Sequence, residues 1–126
     1  MKKEDKELFL KDLCGRLPYW VKCIVKSDGY VGVISSIESQ YGVVTFDDGR
    51  QEEICDIKPC LYPISSMTSK QKAELSMLVV GVEDIFKSFL IEVEFYHKHH
   101  IDYEGLIEKG LAIDATGLSI YKEETR

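Results

Sequence analysis

The sequence predicts a mixed α+β fold, with an N-terminal helix, a small β-barrel and a compact C-terminal helical unit. Two Asp-Gly pairs, Asp28-Gly29 and Asp48-Gly49, separate short segments rich in β-branched residues, which is typical of β-hairpins. In the second half, apolar residues instead recur at helical spacing. We therefore divide the 126-residue chain into residues 1–63 and residues 64–126, which could also form one composite domain.

The first helix is expected over residues 4–14. Acidic residues occupy its first turn, which suits the helix dipole, and Gly15 is a natural residue to end it. Its apolar side chains form one face, which predicts a helix packed over the end of the barrel: Phe9, Leu10, Leu13 and Leu17.

A meander of four strands is expected next. The strands are placed near 20–26, 30–38, 43–46 and 52–57, because apolar and polar residues alternate there between turn signals. Cys23 and Cys55 are interpreted as small buried residues of this unit. The segment from Pro59 to Thr68 is interpreted as a hinge between the two halves.

The residues 43–49 (VVTFDDG) and 54–59 (ICDIKP) resemble SH3-like and Tudor-like small barrels. Those families share a strand, an acidic-Gly turn, a second strand and a short turn that ends in proline. The resemblance covers roughly the first half of the chain and implies an SH3-like barrel of five strands.

The helical half begins with a helix over residues 66–81, capped by Ser66 or Thr68. A second helix over residues 83–99 has a broad apolar face, so it is either buried on more than one side or paired with a partner chain. A homodimer through this helix is one hypothesis. A third, short helix is expected to start at Asp102 and to end at Gly110, and residues 122–126 are expected to fray.

Several segments resemble an uncharacterised family linked to gut Bacteroidetes and their phages and prophages. The longest is residues 99–112 (HHIDYEGLIEKGLA), and shorter ones are residues 17–19, 56–59 and 63–68. The family pattern usually has a basic residue where this chain has Glu104, which speaks against a phosphate-binding turn here. The resemblance implies a phage or mobile-element link but no activity. Its C-terminal motif supplies four candidate residues: His99, His100, Asp102 and Tyr103.

Composition argues against several functions. The formal net charge is −6, and neither half is basic, which disfavours binding to nucleic acid. A nucleic-acid-associated accessory protein stays an alternative through one basic group: Lys22, Lys26, Arg50 and Lys58. The chain lacks a signal-like start and an apolar run of about 20 residues, so we expect a cytoplasmic protein with free thiols and no membrane contact.

Two groups of side chains could form a site. The first could line a cage or a peptide groove at the strand ends, with an acidic rim suited to a cationic ligand: Tyr19, Trp20, Tyr30, Tyr41, Phe46 and Asp47. The alternative is that Trp20 and Phe46 are core residues. The second group is the segment from His97 to Asp102, where a helix end with histidines near the last carbonyls competes with a metal site in a small enzyme.

No nucleophile or nucleotide-binding motif is present. The sequence therefore predicts a non-enzymatic interaction module that binds a protein or peptide and needs no cofactor or metal.

Overall fold

The computed structural model describes residues 2–121. Within these residues there are three α-helices: α1 (Lys3–Arg16), α2 (Ser69–Val79) and α3 (Ile85–Lys98). Seven strands accompany them: β1 (Lys22–Val25), β2 (Val31–Glu38), β3 (Val43–Phe46), β4 (Gln51–Glu53), β5 (Ile57–Pro63), β6 (Ile101–Asp102) and β7 (Ile113–Asp114). The α+β class is confirmed. No helix within residues 2–121 is both long and apolar enough to cross a membrane.

The strands form one open sheet in the order β4-β3-β2-β1-β5-β6, and β7 also pairs with β5. The pairings among β1 to β5 are antiparallel, whereas β6 and β7 run parallel to β5. The closed small barrel is therefore not confirmed. Both Asp-Gly hairpins are present, and Gly29 and Gly49 have φ angles of 77° and 92°, which glycine adopts without steric cost.

Two predictions about the middle of the chain were wrong. The expected strand over 52–57 is divided, because residues 54–56 form a 3₁₀ turn between β4 and β5. The expected hinge over 59–68 begins inside β5, where four consecutive residues, 59–62, are buried. A strand covered on both faces shows no alternation of apolar and polar residues, so its pattern does not indicate a strand.

The hydrophobic core joins α1 to the sheet and to the chain after α3. It contains Phe9 and Leu13 of α1, the inward residues of the sheet, and Leu106, Leu111 and Ala112 from the last part of the chain. The predicted burial of Cys23 is confirmed, and Val25, two residues along β1, is fully buried with it. Cys55 is exposed, contrary to expectation, because it lies in the 3₁₀ turn and not in a strand.

The chain after α3 was partly predicted. Residues 102–110 form β6 and successive turns in place of the expected short helix. Asp102 still acts as a cap, and its two carboxylate oxygens accept hydrogen bonds from the backbone N–H groups of Leu106 and Ile107. Gly110 has a φ of 74°, and the Leu111 N–H donates to the Leu106 carbonyl over 2.9 Å, so the expected closing turn is confirmed. The expected fraying of residues 122–126 lies outside the described residues.

Candidate interaction surface

Helices α2 and α3 form a hairpin whose two starting points are fixed by local side chains. Thr68 and Gln71 form a reciprocal capping box, in which each side chain bonds the backbone N–H of the other residue over 3.1 Å. At the start of α3, Asp84 accepts from the backbone N–H of Phe86 over 2.9 Å and from that of Lys87 over 3.4 Å. These bonds satisfy N–H groups that a helix start leaves free.

The base of the hairpin is packed onto the sheet and α1. Near the end of α3, Phe95 is 4% exposed and His97 is 9% exposed. The His97 ring lies so close to Gly15 that a Cβ atom added there would be only 2.5 Å from His97 Cε1. His97 Nε2 is 3.2 Å from the Tyr103 hydroxyl, and Tyr96 stacks on the Tyr103 ring. Gly15 thus lies inside α1, and its missing side chain allows α3 to approach closely.

A buried ion pair supports this base. Asp12 and Arg16, one turn apart on α1, are 1% and 0% exposed and share two hydrogen bonds of 2.7 and 3.1 Å. Arg16 also donates to the Ile101 carbonyl in β6 over 2.7 Å. Burial and the charge of Arg16 lower the pKa of His97, so the ring is kept neutral between α1 and α3.

One stripe of side chains on α3 is buried at the end of the helix and exposed at its start. Phe86, Leu90, Val93 and His97 are spaced by four, three and four residues, so they share a face. Their burial changes steadily: Phe86 is 77% exposed, Leu90 is 65% exposed, Val93 is half-buried and His97 is buried. The body therefore covers this stripe only in the last two turns of α3.

Large apolar residues collect at the free end of the hairpin, and each exposes more than half of its surface. We call this set the apolar tip: Met77, Leu78, Val80, Ile85, Phe86, Phe89 and Leu90. A groove of about 740 Å³ runs between α2 and α3 below the tip, with Ala73, Ile91 and Phe95 in its wall. The apolar tip is the main candidate for a binding surface.

The predicted aromatic group is spread over several places. Phe46 is a core residue, 1% exposed, and Tyr30 packs edge-on against it with ring centroids 5.2 Å apart. Asp47 is exposed in the adjoining β3–β4 turn. Arg50 lies 4.4 Å above the Tyr30 ring and forms an ion pair of 2.7 Å with Asp28. Tyr30 is thus covered by a polar network at the hairpin turns.

The remaining aromatic residues lie elsewhere. The Tyr19 hydroxyl is 3.3 Å from Glu94 of α3, so this residue belongs to the contact between α3 and the body. Trp20 is 74% exposed with a φ of 57°, contrary to the alternative that placed it in the core. Tyr41 is 70% exposed and lines a shallow depression with Lys6.

The histidines of the C-terminal motif point to different neighbours. His99 packs on Phe95 and lies 3.9 Å from Glu74, whereas His100 stacks on Tyr121 with ring centroids 3.9 Å apart. Asp102 uses both carboxylate oxygens as a cap. Among residues 2–121, no group of three or more His, Cys, Asp or Glu side chains is arranged to hold a metal ion.

The remaining candidate chemistry is largely engaged in structural contacts. Burial raises the pKa of the Cys60 thiol to about 12 and also raises that of Cys23, so neither is a thiolate at neutral pH. In the basic group, Lys22 donates to the Ile120 carbonyl over 2.9 Å, and Arg50 is paired with two carboxylates, those of Asp28 and Glu52.

Comparisons with known proteins identify no relative. No family model matches the chain, and neither the curated proteins nor the solved structures contain a significant match.

Part of the apolar tip could be predicted from the spacing of apolar residues in the sequence. The spacing of Phe86, Leu90 and Val93 marked a face of α3 that needed a partner. The contribution of α2 was missed, because Met77, Leu78 and Val80 show no clear apolar stripe of their own. The buried pair of Asp12 and Arg16 was also missed, since charged residues four apart on a helix are usually solvent-exposed.

Proposed function

We propose that this protein is a non-enzymatic interaction module that binds a protein partner through the apolar tip of the α2–α3 hairpin. One observation carries the proposal: the stripe of α3 that is buried at His97 is 77% exposed at Phe86. A helix face whose large apolar residues stay exposed at one end while the other end is covered is typical of a surface completed by another molecule.

The size of the apolar tip supports this role. An aromatic side chain has roughly 150–250 Å² to bury, so Phe86 and Phe89 together expose on the order of 250 Å². With five further apolar residues, the tip exceeds the roughly 300–600 Å² that is the largest apolar patch of a typical monomer.

The charges beside the tip favour a protein over a membrane or a nucleic acid. Glu83 and Asp84 precede α3, and Lys87 is the one basic residue of its first turn. A helix that lies on an anionic membrane or on phosphates carries lysines and arginines around its apolar face. The tip lacks such a basic rim, because Glu83 and Asp84 outnumber Lys87 beside it.

We further propose that β1 to β5 form an SH3-like unit that carries the hairpin. The strand order, the antiparallel pairing of β1 with β5 and the 3₁₀ turn before β5 all support it. So does the register shift in β2 between Ile34 and Ser36, where the strand can bend. The exposed Trp20 and Tyr41 make this unit the second candidate surface for a peptide. A link to phages or mobile elements rests on the sequence resemblance alone.

Selection of peptides from a random display library on the immobilised protein tests the proposed function. We expect enriched peptides with apolar residues at helical spacing, which bind the protein but not the Phe86→Glu/Phe89→Glu variant. Leu118→Glu is the matched control, because it places the same charge at an exposed apolar position outside the hairpin and outside the sheet surface.

Two outcomes would overturn the proposed function of the tip. Selection without enrichment would leave the exposed apolar surface without a ligand. Peptides that lose binding with Trp20→Ala or Tyr41→Glu, but keep it with the double variant at the tip, would assign binding to the sheet. Circular dichroism of each variant ensures that lost binding reflects the surface and not the fold.

A further inference from the structure

We infer that the partner of the apolar tip is a second copy of this chain, whose α3 packs antiparallel on α3 of the first copy. This inference rests on the proposed function and names the occupant of the same surface. It follows from the register that the side chains of α3 permit, from the balance of charges beside the groove and from the area that is left exposed.

The register is set by the exposed stripe. If the two-fold axis passes between Phe89 and Leu90, Phe89 lies opposite the second copy's Leu90, and Phe86 lies opposite the second copy's Val93. The spacing of four and three residues along the stripe is the one that antiparallel helices use for close side-chain packing. Each contact occurs twice because of the symmetry.

The charges around the groove are balanced, as a self-complementary surface requires. Lys70 and Lys98 line it together with Glu74 and Glu94, so two positive and two negative groups frame the apolar wall. A partner of one predominant charge would be met by a frame of the opposite charge. A surface that meets its own copy across a two-fold axis must instead carry both signs.

The exposed area and the topology also fit a second copy. A stable interface buries about 800 Å² on each partner, and the apolar tip with its rim approaches that size. In one copy, α2 and α3 form a single layer, so the free end of the hairpin cannot bury apolar residues on both of its faces. Two hairpins together form a four-helix arrangement, in which each apolar face meets another.

Sedimentation equilibrium from about 1 µM to about 1 mM protein tests the inference, since this range covers dissociation constants of weak and moderate dimers. We expect the unmodified chain to dimerise. Leu90→Glu should weaken the dimer about tenfold or more, because the symmetry places two charges in the apolar contact. Phe89→Cys lies next to the two-fold axis and should form an intermolecular disulfide, whereas Phe86→Cys lies about 10 Å along the helix from its own copy and should not. Leu118→Glu, at an exposed apolar position outside the hairpin, should change nothing.

The outcomes separate this inference from the proposed function. A chain that stays monomeric at the highest concentration overturns the second copy as occupant, whereas peptides selected by the tip would still support the interaction module. A dimer that tolerates Leu90→Glu, or that is cross-linked through Phe86→Cys and not through Phe89→Cys, overturns the antiparallel register. A dimer that persists in Phe86→Glu/Phe89→Glu overturns the tip as its interface.

Discussion

Replacing Gly15 with alanine tests how the α2–α3 hairpin is anchored to the body. Gly15 lies inside α1, and an added Cβ atom would be 2.5 Å from His97 Cε1 and 3.0 Å from His97 Nδ1. Carbon atoms in contact are normally about 3.5–4.0 Å apart. The imidazole is also held in place, because its Nε2 lies 3.2 Å from the Tyr103 hydroxyl.

Two opposing effects decide the size of the change. Alanine is favoured over glycine in a helix by about 1 kcal/mol, whereas an extra carbon in a packed interior costs about 1–3 kcal/mol. The contact here is severe and rigid, so we expect the upper end of that cost. The free energy of unfolding of Gly15→Ala should therefore fall by about 1–2 kcal/mol, measured by urea denaturation monitored by circular dichroism.

The sign reverses if the ring is removed first. In a His97→Ala background, Gly15→Ala should stabilise the protein by up to about 1 kcal/mol, since only the helix propensity remains. The double-mutant cycle should then give a coupling energy of about 2–3 kcal/mol between the two positions. Additive effects, within about 0.5 kcal/mol, would refute the contact between Gly15 and His97.

Three further predictions concern the base of the α2–α3 hairpin and the residues around it. Burial and Arg16 lower the pKa of His97 below its usual 6.5, so the folded state binds fewer protons than the unfolded state. The free energy of unfolding should therefore fall as the pH drops below about 6.5, with a slope of up to about 1.4 kcal/mol per pH unit. Urea titrations at several pH values should show a smaller slope for His97→Gln. Asp12→Ala leaves Arg16 buried without its carboxylate, so it should cost about 3–5 kcal/mol of unfolding free energy in the same assay. Asp102→Ala removes the acceptor of the Leu106 and Ile107 backbone N–H groups and should lower the melting temperature. Asp114→Ala removes only an exposed acceptor and should leave the melting temperature nearly unchanged.

Local signals in the sequence were sufficient for much of the fold. The Asp-Gly turns and the closing turn at Gly110 depend on a few neighbouring residues and were predicted, and Thr68 was one of the two predicted caps of α2. The alternation along β1 was equally readable, because Cys23 and Val25 are buried whereas Lys22 and Ile24 are half-buried.

Features that depend on distant parts of the chain could not be predicted in the same way. Pro59 suggested an irregular segment, yet it lies in β5 opposite Cys23, since β1 pairs with it there. Gly15 suggested the end of a helix, but its role is to admit a ring that lies 82 residues later in the chain. Arg16 is buried by β6 and its acidic neighbour, and nothing in the spacing distinguishes such a pair from an exposed one.

The anchored base and the exposed tip are connected by the geometry of a single helix. His97 fixes the direction of α3 against Gly15, and Phe86 lies three turns away at the free end. A surface held rigidly loses less conformational entropy on binding than a mobile one. Gly15→Ala should therefore weaken peptide binding or dimerisation at the tip, although it changes no residue there. A loss of stability without any loss of binding would show that the base only supports the fold and that the tip binds independently of how it is held.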